Sequence, residues 1–180
     1  MSADYLVDEL NRSKEVMGKT GLEADIDSIN ELFMGSGMGD AGQFMKNIAA
    51  TESNLGTDTL GDYSFSPFQI DDIRYKDIVQ RAQGGGNAGK RADMVNEYLR
   101  GALNRPNFDI LSLDLKEEGH NPLIGAALTR MGLASVPEAI PSDLEGQANY
   151  WKDYWNTHAK TASGTPQKFI SQVKHHYPGL

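Results

Sequence analysis

Residues 40–70 read DAGQFMKNIAATESNLGTDTLGDYSFSPFQI. The first half has the period of a helix, with Phe44, Met45, Ile48 and Ala49 on one apolar stripe. Asp40 followed by Gln43 reads as a capping box, and the helix is predicted to end near Glu52 and Ser53. Past Ser53 the period is lost. Asn54 to Ser66 is rich in Gly, Asp, Thr and Ser, with Tyr63 and Phe65 alternating, which predicts a loop or a short irregular hairpin.

Working outward, the chain reads as helices separated by Gly, Pro and Asn. Ala3 to Met17 predicts a weakly amphipathic helix carrying Leu6 and Leu10, and Ile26 to Met34 a second, short one. From Asp71 a helix is predicted with Ile73 and Ile78 facing inward. The run QGGGNAG, Gln83 to Gly89, predicts a flexible break, because adjacent glycines are costly to order. Lys90 to Leu103 predicts a helix with Met94, Val95, Tyr98, Leu99 and Ala102 on one face. Asn121 and Pro122 cap and open another, striped by Leu123, Ile124, Ala127, Leu128 and Met131. Ser142 with Glu145 reads as a second capping box. Thr165 and Pro166 open a last helix that Pro178 stops. The prediction is a mainly α, helical single domain over 1–180, with a 1–35 N-terminal helical segment and a 40–176 core.

The chain has 180 residues, enough for one domain with its own core. It has no Cys, which excludes disulfides, thiol nucleophiles and cysteine zinc sites. A formal charge of −8 argues against a general phosphate-backbone binder, so no nucleic acid is expected. No apolar run suits membrane insertion. Met1 to Glu15 carries early acids and no apolar h-region, so no signal peptide is expected. Within this acidic chain, Lys152 to His176 is mildly basic, carrying Lys152, Lys160, Lys168 and Lys174 against Asp153, a pattern that solvated helix faces also give.

GMGDAG, Gly37 to Gly42, matches G-x-G-x-x-G but follows a helical pattern rather than a strand, so no dinucleotide cofactor is expected. The histidines have no paired ligand spacing and Asp58 to Asp62 lacks a calcium-loop spacing, so no metal is expected either. The carboxylates are left. Cleaving a glycosidic bond requires a carboxyl group that holds its proton beside the leaving oxygen. Burial against apolar groups raises a carboxyl pKa, and the negative end of a helix acts the same way. Glu52 has that position. In an inverting reaction a second carboxylate activates water on the other face of the sugar. Asp62 and Asp71 lie 10 and 19 residues downstream. An ordinary solvent-facing acid at a helix end is the alternative reading of Glu52.

The same stretch resembles the signature of the lytic transglycosylase and goose-type lysozyme superfamily. Glu52-Ser53 stands at the helix end, followed by Gly56. SPFQI, Ser66 to Ile70, stands where that family has G-L-M-Q-[IV], matching at Gln69 and Ile70 and differing at Ser66, Pro67 and Phe68. Gly61-Asp62 and Gln69-Ile70-Asp71 are similar to goose-type features. NPLIGAAL, Asn121 to Leu128, is similar to a family helix that packs behind the catalytic one. Tyr154, Trp155 and Asn156 look like a divergent A-Y-N segment whose spacing is not kept. The wider C-terminal context is similar to bacteriophage cell-wall lytic proteins.

The resemblance implies an α+β lysozyme-like fold and a glycoside hydrolase acting on the peptidoglycan glycan strand. The bond would be the β-1,4 link between N-acetylmuramic acid and N-acetylglucosamine. Glu52 would be the general acid, with Asp62 or Asp71 orienting water for a muramidase. Alternatively, the sugar's own C6 hydroxyl attacks and a lytic transglycosylase forms a 1,6-anhydro product. Ser53 would support the site or touch substrate, and Gln69 would line the cleft floor. Phe68, Tyr98, Tyr154 and Trp155 would be sugar-stacking walls, although aromatic residues at helical spacing also build cores, and Asn156 would bind substrate. A non-catalytic wall-binding or virion structural module is the alternative from another class. With no signal peptide, release from the host cytoplasm would rest on a holin-like partner or on virion incorporation.

Overall fold

The computed structural model describes residues 3–58, 65–157 and 164–180, with side chains from residue 18 onward. Among these, the chain forms eight α-helices, one 3-10 turn and one π-helical turn, and no extended strand. The mainly α expectation is met.

The N-terminal segment is one helix, α1 (Ala3–Gly35), where the sequence predicted two. Gly18 and Gly21 lie inside it with open space where a Cβ would stand. Each costs about 1 kcal/mol of helix propensity, which does not break a helix anchored by a buried row. Leu22, Ile26, Ile29 and Phe33 form that row and belong to the same core as the rest of the chain. Leu6 and Leu10 are outside the residues whose side chains are described.

The centre is α6 (Pro122–Leu133). Asn121 caps it, its Oδ1 accepting from the backbone N–H of Leu123 at 3.0 Å. Residues from Leu123 through Met131 are buried on all sides, as suits a helix that is apolar around its whole girth. Packed around it are α1, α2 (Gly42–Ser53), α3 (Asp72–Gln83) and α4 (Gly86–Ala102). The predicted stripe on α6 is correct at every position.

Several local expectations differ. Asp40 and Gln43 do not form a capping box: Asp40 Oδ1 accepts from Gly42 N at 2.8 Å, and Gln43 turns instead to Asn47. The start of α2 is set by Asn30 of α1, whose Oδ1 accepts from Ala41 N at 2.9 Å. Ile73 is exposed, on the outer face of α3, while Ile78 is buried. On α4, Val95 and Leu99 are buried but Ala102 is exposed. The glycine run makes a sharp corner rather than a long break. Gly85 and Gly86 take φ of 80° and 62°, and Gly86 already starts α4. The cap of α7 (Leu144–Tyr150) is Asp143, one residue past Ser142, accepting from Gly146 N at 2.7 Å.

A 3-10 turn (Ile110–Ser112) and α5 (Leu115–Glu118) link α4 to α6. The last helix, α8 (Pro166–His176), is capped by Thr165 as predicted and packs on α2 and α7. After α2, Phe65 and Ile70 form one antiparallel bridge closing the turn Ser66 to Gln69. No helix among the described residues is long and apolar enough to cross a membrane.

Candidate active site

The C-terminal end of α2 is built for a sharp exit. Asn54, Leu55 and Gly56 follow in left-handed conformation, with φ of 52°, 57° and 81°. Such conformations are strained for residues with a side chain, and two anchors hold this one. Leu55 is buried in the core. Ser53, fully buried, donates its hydroxyl to Pro67 O at 2.6 Å and accepts from Gly56 N at 2.8 Å. One hydroxyl thus clamps the helix end to the turn carrying Ser66 and Gln69.

That turn is pressed against α6. Ser66 and Gln69 also have positive φ, 68° and 51°. A Cβ on Gly125 of α6 would come within 2.5 Å of Ser66 Cβ and 3.3 Å of the Phe68 ring. Only glycine allows this approach. Gln69, held by the turn, donates its side-chain N–H to the backbone carbonyl of Glu52, one of the carbonyls a helix end leaves without an internal partner.

The Glu52 carboxyl is half-buried and turned into a shell of donors. The indole N–H of Trp151 donates to Oε1 at 2.9 Å. The Asn156 side chain also hydrogen-bonds the carboxyl. Arg74 and Lys168 are close enough to favour its charge. Burial nevertheless outweighs these influences and raises the Glu52 pKa above the ordinary carboxylate value, with Trp151, Arg74, Lys168 and Asn156 each acting in the opposite direction. Arg74 is itself fixed: its guanidinium stacks 3.9 Å from the centre of the Trp155 ring and donates to the Trp155 carbonyl.

Glu52 opens onto a polar cleft of about 640 Å³. One wall is the end of α2 with Asn54 and Asp58; Gln69 contributes to the cleft, and the other wall is the polar face of α8. The two walls are joined where His176 Nε2 lies 2.6 Å from Asn54 Oδ1. A carboxyl whose pKa is raised, facing a polar cleft with oriented donors behind it, has the placement of a general acid toward an oxygen bound in that cleft.

Glu52, Gln69 and Asn156 are brought together; Glu52 and Gln69 line the cleft, whereas Asn156, expected to bind substrate, is not among the lining residues. Ser53 lies beneath them with no exposure, so it shapes the site and does not line the cleft. Four aromatic residues do not serve as cleft walls. Phe68 is fully buried in the core under Gly125, and Trp155 is buried beneath Arg74. Tyr154 packs its ring 4.7 Å from that of Tyr150. Tyr98 is half-buried on α4, packed against the core. Neither tyrosine lines the cleft. Asp71 caps α3, its Oδ1 accepting from Arg74 N at 2.8 Å, and does not line the cleft. Asp62 lies outside the described residues.

Trp151, Arg74, Lys168 and Asp58 escaped the sequence reading, as did Asn54, Ser171, Gln172 and His175 of the cleft walls. Trp151 is hidden by a widened turn. The π-helical segment (Trp151–Trp155) continues α7, and Asn156 N donates to Trp151 O at 2.8 Å, five residues back. Trp151 and Asn156 thereby share one face, which an α-helical period does not predict. Such turns recur at functional sites. For Arg74 a signal existed: a cation in the first turn of a helix opposes the helix dipole and needs another partner. No protein-family model matches the chain, and neither a curated protein nor a solved structure does.

Proposed function

We propose that the protein is a muramidase, cleaving the β-1,4 bond between N-acetylmuramic acid and N-acetylglucosamine in peptidoglycan, with Glu52 as general acid. The observation that carries this reading is the Glu52 carboxyl itself. It stands at the end of a buried helix, has a raised pKa, and faces a polar cleft large enough for several sugar rings. The reading is also supported by the resemblance around it: Glu52-Ser53 at the helix end, Gln69 bonded to the Glu52 backbone, and a glycine of the next buried helix against the turn.

In this mechanism the protonated Glu52 gives its proton to the glycosidic oxygen as the bond to the anomeric carbon breaks. Water attacks the developing oxocarbenium ion, its oxygen bonding to the anomeric carbon and its proton passing to a second carboxylate, which leaves a new reducing end on the strand. Once Glu52 is ionised, Arg74, Lys168 and the Trp151 and Asn156 donors stabilise its charge. Their preorganisation lowers the cost of proton loss without solvent rearrangement. Asp58 is the other described carboxylate in the cleft and takes the water-orienting role that Asp71, engaged as a cap, does not.

A second reading on the same acid needs no second carboxylate. The sugar's C6 hydroxyl attacks the anomeric carbon, Glu52 takes its proton, and the product is a 1,6-anhydro sugar. Mass spectrometry of the products separates the two, since the anhydro product lacks one water. Clearing of purified peptidoglycan by the wild type and loss of clearing in Glu52→Gln test both readings together.

A further inference from the structure

The wall of the cleft opposite Glu52 has a pattern of its own. Lys168, Ser171, Gln172 and His175 follow at helical spacing on one face of α8 and line the cleft. At 1.5 Å per residue the stripe from Lys168 to His175 runs for about 10 Å, enough to lie beside more than one sugar ring. Lys168, Ser171 and His175 are exposed. Phe169 and Val173, on the opposite face of the same helix, are fully buried and fix its rotation. The His176 contact with Asn54 fixes its distance from α2.

A neutral glycan needs only hydrogen-bonding partners along such a wall, which Ser171 and Gln172 supply. A lysine is a different kind of group. Its ammonium is a point charge whose desolvation is costly unless an anion meets it. Lys168 makes no salt bridge among the described residues. Glu52 is near it, but the hydrogen bonds to that carboxyl come from Trp151 and Asn156. In a chain of net charge −8, an exposed lysine on a cleft wall, with no salt bridge among the described residues, is a group that a negatively charged ligand would meet favourably.

We propose that this face of α8 reads a carboxylate on the bound glycan strand. Lys168 pairs with the carboxylate, His175 adds a second donor one helical stretch further on, and Ser171 and Gln172 bind hydroxyl or amide groups between them. The proposal rests on the glycan-cleft reading but not on catalysis. The carboxylate has two sources of the same chemistry, an acidic group on the sugar or the peptide branch of the strand.

Calorimetric titration of the Glu52→Gln protein separates these, because it measures binding without cleavage. The ligands are three oligosaccharides of equal length: a neutral N-acetylglucosamine oligomer, a peptidoglycan strand stripped of peptide so that the sugar carboxylate is free, and a strand with intact peptides. The proposal predicts that at least one carboxylate-bearing strand binds about fivefold tighter than the neutral oligomer, the size of one partly screened ion pair. Tighter binding of the stripped strand assigns the sugar carboxylate; tighter binding of the intact strand alone assigns the peptide. Adding Lys168→Gln brings the ratio close to one, and Lys168→Arg restores part of it. Equal affinity for all three ligands, binding by none, or a ratio that survives Lys168→Gln overturns the proposal. A retained ratio with no clearing of peptidoglycan by the wild type sinks the catalytic reading alone.

Discussion

The indole N–H of Trp151 donates to Oε1 of Glu52 at 2.9 Å, joining residues 99 positions apart. A hydrogen bond to a carboxylate favours its charged form, so this donor keeps the pKa of Glu52 from rising further under burial. It follows that Trp151→Phe raises that pKa beyond its already raised position. For a general acid, kcat/KM falls as pH rises through its pKa. The alkaline limb of the profile therefore moves to higher pH in Trp151→Phe, while the rate at the optimum drops because the carboxyl loses an oriented donor. A pH profile on soluble glycan strands checks this; an unmoved alkaline limb contradicts the contact's role.

The same raised pKa has a stability consequence. Between the unfolded and folded pKa values of Glu52, the folded protein binds more protons than the unfolded chain, so stability falls as pH rises through that window. Below the ordinary carboxylate range the cost of the buried charge is absent. Glu52→Gln, which keeps an oxygen to accept from Trp151, is therefore more stable than the wild type at neutral pH, and the advantage shrinks toward acid pH. Thermal unfolding across the range measures it. A variant less stable at neutral pH runs against this account.

Ser53 is a clamp and does not line the cleft. Ser53→Ala leaves Pro67 O and Gly56 N without their partner in a buried setting. The cost is about 1–3 kcal/mol. Denaturant unfolding should show the loss, with activity falling through displacement of the left-handed turn that follows Glu52.

Gly125 and Ser66 form a coupled pair. Gly125→Ala places a Cβ within 2.5 Å of Ser66 Cβ and is expected to cost about 1–3 kcal/mol from overpacking. Ser66→Gly relieves a left-handed φ of 68° but removes the buried hydroxyl that accepts from Phe68 N at 3.2 Å, so alone it is expected to be close to neutral. Combining them should recover part of the Gly125→Ala loss, so a double-mutant cycle gives a non-zero coupling. Strict additivity would rule out this contact as the source.

The two carboxylates near the site should separate. Asp71→Asn preserves a good N-cap and is expected to keep near-wild-type activity and stability. Asp58→Asn is expected to lower water-dependent product formation by about 100-fold or more, the scale of a positioned base. Quantified product release from each variant decides it; the reverse order returns the water-orienting role to Asp71.

The legibility of this site was uneven for physical reasons. Glu52 was visible because an apolar stripe and a glycine-rich break bracket it in sequence. The caps Asn121 and Thr165 were visible because N-cap chemistry is local. Ser142 was a near miss: Asp143, next to it, has the same capping chemistry and took the position. The aromatic residues were misread because Phe68 and Trp155 have a period that core and cleft share, and only packing against Gly125 and Arg74 places them inside. Trp151 was out of reach because a π-turn, not an α period, brings it beside Asn156. Lys168 belonged to a basic stretch that also reads as a solvated face, until α8 is seen to line the cleft with it.

Mass spectrometry of soluble products released from purified peptidoglycan by the wild type and by Glu52→Gln decides whether Glu52 is the acid. Muropeptides with reducing ends are expected from the wild type, with about 10² to 10⁴ times slower release from Glu52→Gln, the range for loss of a general acid. Equal release by the two proteins, or none from the wild type, would overturn that role.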